Sequence, residues 1–240
     1  MNSPVHTPLV YVISAPSGSG KSTLVNELLK KVSNLEFSIS YTTRAPRGSE
    51  QNGRQYYFIS RPEFEKMIQD GEFLEYAEVF GKDYYGTARR FLRDAEQNGR
   101  DLLLDIDVQG AAQIQQKLLG SCSIFILPPD RKTLEERLRK RSEDSDEVME
   151  RRLHTATREI ENYQRYNYIL INDQLEDSIK LLRAIVRGER LIRAGRALSV
   201  EETKVVALAD RCRLENVRER LQPILESFRG LRYPEGINPR

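Results

Sequence analysis

The segment Ala15-Pro16-Ser17-Gly18-Ser19-Gly20-Lys21-Ser22 specifies a chemistry by residue type and order alone. Glycines and small residues between a short apolar run and a helical pattern let the backbone wrap closely around phosphate. Successive N–H groups then point at its oxygens. In such a loop Lys21 bridges the β- and γ-phosphates of ATP, and the Ser22 hydroxyl ligates Mg²⁺. The motif ordinarily begins with glycine, and here Ala15 stands in that place, while the Gly20-Lys21-Ser22 end is intact. A second cluster, Ser40, Arg44, Arg47 and Tyr56, sets two arginines three apart around Pro46. The planar guanidinium fork suits bidentate phosphate binding, and the two hydroxyls add donors. Read by itself, this cluster is equally well a solvated basic loop. A third group is cationic: Arg137 and Arg141 are four apart and share a helix face, and Arg151 and Arg152 follow an acidic stretch. Asp105 closes an apolar run, where a carboxylate can orient a Mg²⁺-bound water.

The elements that must hold these residues alternate. Leu9–Ser14 reads as a buried strand, followed by a helix from Lys21 to about Val32. Ser38–Tyr41 and Gln55–Ile59 read as strands. Ser60 and Glu63 form a capping box that starts a short helix, and Gly71 is placed to stop it. Asp101–Ile106 and Ile124–Leu127 are further buried strands, the latter stopped by Pro128 and Pro129. Thr133–Arg141 is helical, and Tyr168–Ile171 is a strand leading into a helix that ends near Arg187. This alternation predicts an α/β fold with a mainly parallel sheet flanked by helices. Between residues 41 and 98 short strands and tyrosines replace the rhythm, which predicts an inserted subdomain. Beyond 188 the pattern changes again. Ser199 and Glu202 form another capping box. Val205, Leu208, Ala209 and Cys212 share a face, and Leu214, Val217, Leu221, Leu225 and Phe228 continue an apolar stripe that Pro223 should kink or break.

Bulk properties narrow the class. With 39% apolar residues in 240 the chain can build a core, and a net charge of +2 gives no argument for nucleic acid or membrane. Cys122, Cys212, His6 and His154 are too few and too scattered for a zinc site or a disulfide framework. No apolar run approaches the roughly 18 residues of a membrane span, and the first residues lack the layout of a signal peptide. A cytoplasmic protein is expected.

Several motifs then resemble one family. Ser38-Ile39-Ser40-Tyr41-Thr42-Thr43-Arg44-Ala45-Pro46-Arg47 with Glu50, Asn52-Gly53 and Tyr56 is similar to the acceptor-phosphate loop of guanylate kinases. The likeness continues through Phe73–Val79, Tyr84-Tyr85-Gly86-Thr87, Leu104–Gly110, Ile124–Pro129 and Ile171-Asn172-Asp173, in the same order. It implies a P-loop kinase domain over 8–188, with the P-loop at 15–22, a GMP-binding subdomain at about 41–98 and a helical lid at about 130–157. Residues 189–240 would be a helical extension that packs on the core, joins two copies in a homo-oligomer, or does both.

The resemblance also implies roles. Ser40, Arg44, Arg47 and Tyr56 would hold the GMP phosphate, with Tyr85 as a further hydroxyl. Glu75 and Asp107 would accept from guanine N1–H and the 2-amino group, and Thr87 would donate to O6. Arg137, Arg141 and Arg152 would reach the transferring or donor phosphates, whereas Arg131, Lys132, Arg139 and Lys140 fit a solvated helix. Asn172, at a strand end, either meets the adenine edge or caps the next turn, and Asp105 is a candidate both to orient a Mg²⁺-bound water and to bind substrate. The stretch Gly81–Tyr85 is one residue longer than the family's common spacing, which bears on Tyr85. The implied reaction is transfer of phosphate from ATP, with Mg²⁺, to GMP or dGMP. A non-catalytic binding module, or a kinase for a different acceptor such as a sugar phosphate, would lack either the intact P-loop or the set Glu75, Thr87 and Asp107.

Overall fold

The computed structural model describes residues 7–79, 81–140 and 145–229. In chain order its elements are β1 (Val10–Ser14), α1 (Lys21–Lys31), β2 (Leu35–Phe37), β3 (Tyr41–Thr42), β4 (Tyr57–Phe58), α2 (Arg61–Gln69), β5 (Phe73–Val79), β6 (Asp83–Ala88) and α3 (Arg90–Gln97). They continue with β7 (Asp101–Asp105), α4 (Val108–Lys117), β8 (Cys122–Leu127), α5 (Arg131–Arg139) and α6 (Asp146–Ile160). A 3₁₀ turn (Glu161–Arg165), β9 (Tyr168–Ile171), α7 (Leu175–Ala194), α8 (Val200–Asp210) and α9 (Leu214–Phe228) complete the chain. The fold is α/β with a parallel sheet flanked by helices, as the alternation predicts. The described residues fall into two compact units, 7–14 with 25–124 and 15–24 with 125–229.

In the first unit β2, β7 and β1 run parallel in that order. Val10, Val12 and Ile13 stand opposite Leu102, Leu104 and Asp105. Both central strands are apolar on both faces because both faces are covered: Tyr11, Val12, Ile13 and Leu102–Leu104 are fully buried. Asp101 starts β7 and accepts a hydrogen bond from the Leu9 amide at 2.8 Å, so its buried carboxylate is partnered. The same unit holds a second sheet, ordered β4-β3-β6-β5. The expected strand Ser38–Tyr41 is replaced by two shorter ones. β2 belongs to the parallel sheet and β3 to the second, and Ser38, whose amide donates to Leu103 O at 3.0 Å, marks the crossing. One run of alternating residues serves two sheets, and the alternation itself carries no sign of the break. The capping box at Ser60 and Glu63 is present, and Gly71 follows α2 with φ 67°.

In the second unit β8 ends beside β9, with the Asn172 amide donating to Leu127 O at 2.8 Å. Leu134 and Leu138 of α5 and Met149, Leu153, Ala156 and Ile160 of α6 bury the apolar stripes of two otherwise charged helices. α7 runs on to Ala194, past the expected end near Arg187: Gly188 lies against Ala209 of α8, and Gly195, in the left-handed region at φ 63°, ends the helix. The capping box at Ser199 and Glu202 starts α8. Pro223 does not break α9, which continues to Phe228. Pro223 lies on the exposed face, where water can take the carbonyl it leaves unpaired, while Val217, Leu221, Ile224 and Phe228 are buried on the other. Among the described residues no helix is long and apolar enough to cross a membrane.

Candidate functional site

The phosphate loop lies in the second unit. The Ser19 amide donates to Pro16 O at 3.1 Å to form a tight turn, and Leu24 N donates to Gly20 O at 3.2 Å as α1 begins. Gly18 and Gly20 have φ of 92° and 88°, in the left-handed region that side chains avoid. They are also crowded. A Cβ on Gly18 would meet Leu134 and Leu138 at 2.9 Å, and one on Gly20 would lie 2.3 Å from Asn172 Nδ2. Ala15 explains itself by contrast, since its φ is not positive and glycine is not needed there. Lys21 and Ser22 open α1, whose first turn holds no acidic side chain. The positive end of the helix therefore stays uncancelled by the chain itself, as anion binding requires.

Three predicted residues surround this loop. Asn172 is buried after β9, and its Nδ2 donates to Ser19 O at 2.7 Å. One amide hydrogen of Asn172 is thus committed to bracing the loop. Arg137 on α5 donates to Asn172 O at 3.1 Å and more weakly to Asp173 O at 3.5 Å. Arg152 on α6 donates to Ser17 Oγ at 3.3 Å. Its neighbour Arg151 instead pairs with Glu147 one turn back, and Arg139 pairs with Glu135 and Asp146, the solvated-helix role expected of Arg139. Arg141 lies outside the described residues.

The acceptor cluster lies in the first unit. Arg44 is buried on the β3 side of its loop, with 8% of its surface exposed. Its Nε donates to Tyr85 Oη at 3.1 Å, and its two terminal nitrogens grip Glu50 in a fork of 2.9 and 3.0 Å. The guanidinium lies 5.3 Å from the centroid of the Tyr56 ring, which meets Tyr85 edge-on. Glu50 also accepts from the Arg47 amide at 2.7 Å, and these bonds hold its carboxyl below the usual carboxylate range. The Arg47 side chain is exposed. Ser40 sits half-buried between β2 and β3, its carbonyl accepting from Tyr57 N at 2.9 Å. Glu50 is the residue that motif reading left without a role. Its signal was an acid three residues past Arg47 and six past Arg44, across the Gly48 turn.

β5 and β6 set the remaining residues. Their antiparallel register pairs Glu75 with Thr87 and Ala77 with Tyr85. Glu75, Thr87 and Tyr85 therefore share one face, while Tyr84 points away and stacks on Phe64. The extra residue near Lys82 is absorbed before this register begins to matter, and Tyr85 reaches Arg44. Glu75 is 3% exposed, and burial pushes its carboxyl up to about 7, with the Asp107 charge adding to the rise. The Thr87 hydroxyl beside it favours the ionised form, yet Thr87 Oγ1 is buried and makes no hydrogen bond of good geometry. Asp107 caps α4, accepting from Gly110 N at 2.8 Å. Gly110 lets α4 lie close to this carboxylate, since a Cβ there would push Glu75 Oε2 out of place. α4 also fastens the strand: Gln113 exchanges hydrogen bonds with the Tyr76 backbone, and Lys117 donates to Leu74 O at 2.8 Å. Glu75 is thereby locked on both sides. Asp105, half-buried, ends β7 opposite Ile13. One buried and one half-buried carboxylate beside a buried, unsatisfied hydroxyl suit a flat ligand with adjacent N–H donors and a carbonyl.

A model of the guanylate kinase family matches residues 7–189. This chain belongs to the guanylate kinase family. A guanylate kinase of Koribacter versatilis is 53% identical over 229 residues, covering 94% of this chain and 98% of that one. That of Escherichia coli strain K12 is 46% identical, covering 76% of this chain and 88% of its own. The crystal structure of guanylate kinase from Anaplasma phagocytophilum superposes with a TM-score of 0.64 at 34% identity, over 77% of this chain and 87% of that one. The family match ends before α8, so the guanylate kinase domain and the last two helices are separable in sequence. The Koribacter alignment is long enough to run through most of the extension.

Proposed function

We propose that this chain moves the γ-phosphoryl group of ATP onto the phosphate of GMP, giving ADP and GDP, and accepts dGMP in the same way. The observation that carries the reading is Glu75, a carboxylate buried beside the unsatisfied hydroxyl of Thr87 and held by α4. Guanine presents donors at N1 and N2 beside the O6 acceptor. Glu75 and Asp107 accept from the first two, and Thr87 donates to the third. Adenine lacks the N1 donor and carries an amino group in place of O6, so its binding would leave a buried carboxylate unpaired. That costs about 1–3 kcal/mol or more.

At the acceptor phosphate, Arg44, Arg47, Tyr56, Tyr85 and Ser40 hold the dianion that serves as nucleophile. No general base is needed, because the attacking oxygen is already anionic. At the donor, the amides of residues 15–22 cradle the phosphates, Lys21 spans the β- and γ-groups, and Arg137 and Arg152 take up the charge that spreads during transfer. Asn172 holds the loop through its Nδ2, and its side-chain Oδ1 is the atom that would accept from an adenine amino group. Magnesium would supply further positive charge at the β- and γ-oxygens when bound with the nucleotide. The exposed Ser22 hydroxyl and, through water, Asp105 fit it, since Mg²⁺ in such sites keeps most of its ligands from phosphate and water. The reading places the protein in the cytoplasm, where both nucleotides are made and used.

Coupled ADP release with GMP, dGMP, AMP, CMP and UMP as acceptors tests this. Turnover with GMP and dGMP, far above the rest, is expected. Turnover with AMP but not GMP would overturn the acceptor assignment. No turnover with any acceptor, together with binding of phosphorylated peptides, would favour a non-catalytic module.

A further inference from the structure

The extension beyond the family match is fastened to the second unit at three points. The first is backbone. Between α8 and α9 the chain runs antiparallel to β9, with Ile169 N donating to Cys212 O at 2.7 Å and Leu214 N to Asn167 O at 3.1 Å. Extension backbone thus pairs along β9. The second is a charged cluster. Arg213 lies over the Tyr168 ring at 4.7 Å and pairs with Glu189 at 3.1 Å and Asp210 at 3.0 Å, while the Tyr168 hydroxyl also donates to Glu189. The third is on α9. Ser227 Oγ accepts from Arg131 N at 3.1 Å, satisfying one of the unpaired amides that begin α5. Val217, Leu221, Ile224 and Phe228 bury the apolar stripe of α9 within the same chain. That stripe therefore needs no second copy to cover it.

The two elements so fastened are those that shape the phosphate loop. β9 ends one residue before Asn172, whose side chain braces Ser19 O. α5 carries Leu134 and Leu138 against Gly18, and Arg137 against Asn172 O. We infer that the extension is an intramolecular brace that positions the ATP loop through β9 and α5, with Arg213 and Ser227 as its positioning residues. The elements it fastens carry the supports of the donor loop, so its effect falls on the donor nucleotide. The inference concerns the donor loop alone and stands or falls separately from the choice of acceptor.

The test uses the full-length protein with Arg213→Ala, Ser227→Ala and the pair combined, and Glu219→Ala on the exposed face of α9 as control. ATP and GMP are titrated separately by calorimetry, and hydrogen exchange is followed over 15–24 and 167–173. Weaker ATP binding by roughly three- to tenfold in the combined variant is expected. GMP binding should stay within about twofold, and exchange should quicken in both segments. Ser227→Ala, which removes the bond from the Arg131 amide and one to Ile224 O within α9, should show the same selectivity at smaller size, so an unfolded Arg213→Ala leaves the test intact. Equal losses for ATP and GMP, or unchanged ATP binding despite faster exchange along 167–173, would overturn the brace. So would a change in oligomeric mass with ATP binding unaltered. If the wild type binds ATP but does not phosphorylate GMP, the acceptor reading fails while the brace is still decided by the ATP titrations.

Discussion

The two regions proposed to hold the donor and the acceptor phosphate are built by different means. The donor loop relies on backbone: two glycines at positive φ, a run of amides at the start of α1, and one neutral side chain, Asn172, holding Ser19 O. The acceptor region relies on side chains whose charges are already engaged. Arg44 grips Glu50, and Glu75 is buried at the limit of ionisation. The contrast follows from what each must recognise. A triphosphate tail is alike in every nucleotide, and oriented amides suffice for it. A base is distinguished only by donors and acceptors fixed in a dry place, and fixing a carboxylate there costs stability.

The sharpest way to break this division is Lys21→Met. It should lower turnover by about 10³-fold, the scale of removing a transition-state charge partner, while GMP affinity by calorimetry stays near the wild type. Equal loss of both would make Lys21 a structural residue serving both regions.

Next in size is Glu75→Gln, which should cut kcat/KM for GMP by about 10²-fold, a cost of roughly 2–3 kcal/mol for a mispaired buried group. The same change should stabilise the fold, with a definite dependence on pH. The folded-state pKa lies near 7 against an ordinary 4.5, so between those values the native protein holds a proton that the unfolded chain has lost. Wild-type stability therefore falls as pH rises from about 4.5 to 7 and is level above. The variant should gain up to about 3 kcal/mol over wild type at pH 8 and nothing at pH 4. Urea unfolding at the two pH values measures this. A variant equally stable at both would mean that Glu75 is not strained.

A smaller effect follows for binding. If GMP needs ionised Glu75, its affinity should weaken about tenfold between pH 8 and pH 6. That loss should exceed the corresponding loss in Glu75→Gln, where only the GMP phosphate titrates. The smallest expected effect is Glu50→Gln. It keeps the shape and loses the charge that orients Arg44, so KM for GMP should rise about fivefold, on the order of 1 kcal/mol, with KM for ATP unmoved. A tighter fit for GMP would show that Glu50 competes for Arg44 rather than aiming it.

The sequence made the two regions legible to different depths. The phosphate loop could be read directly, because Gly-Lys-Ser between a strand and a helix needs no distant partner to be meaningful. Even there the support of the loop by Asn172 could not be read, since nothing in a strand-end Asn announces that Ser19 O lies within reach. In the acceptor region the residue types could be read but not their support. Gly110, Gln113 and Lys117 act through the packing of α4 on β5, which only folding creates, and Glu50 through a loop turn that brings it back to Arg44. The crossing at Ser38 was hidden because two sheets share one alternating run. The uninterrupted α9 was hidden because Pro223 is harmless only on an exposed face. The arginines of α6 were separable by spacing only in part. Arg152 faces Ser17 and Arg151 faces Glu147, a difference of one residue on a helix.

The division of labour is tested most directly by the ratio of kcat/KM for GMP to that for AMP, measured in wild type and in Glu75→Gln. A ratio of about 10⁴ or more in the wild type is predicted, the scale reached when a site is built to meet a substrate's N–H. It should fall by about 10²-fold in the variant while KM for ATP is unchanged. A wild-type ratio near one, or a ratio untouched by the substitution, would contradict the account.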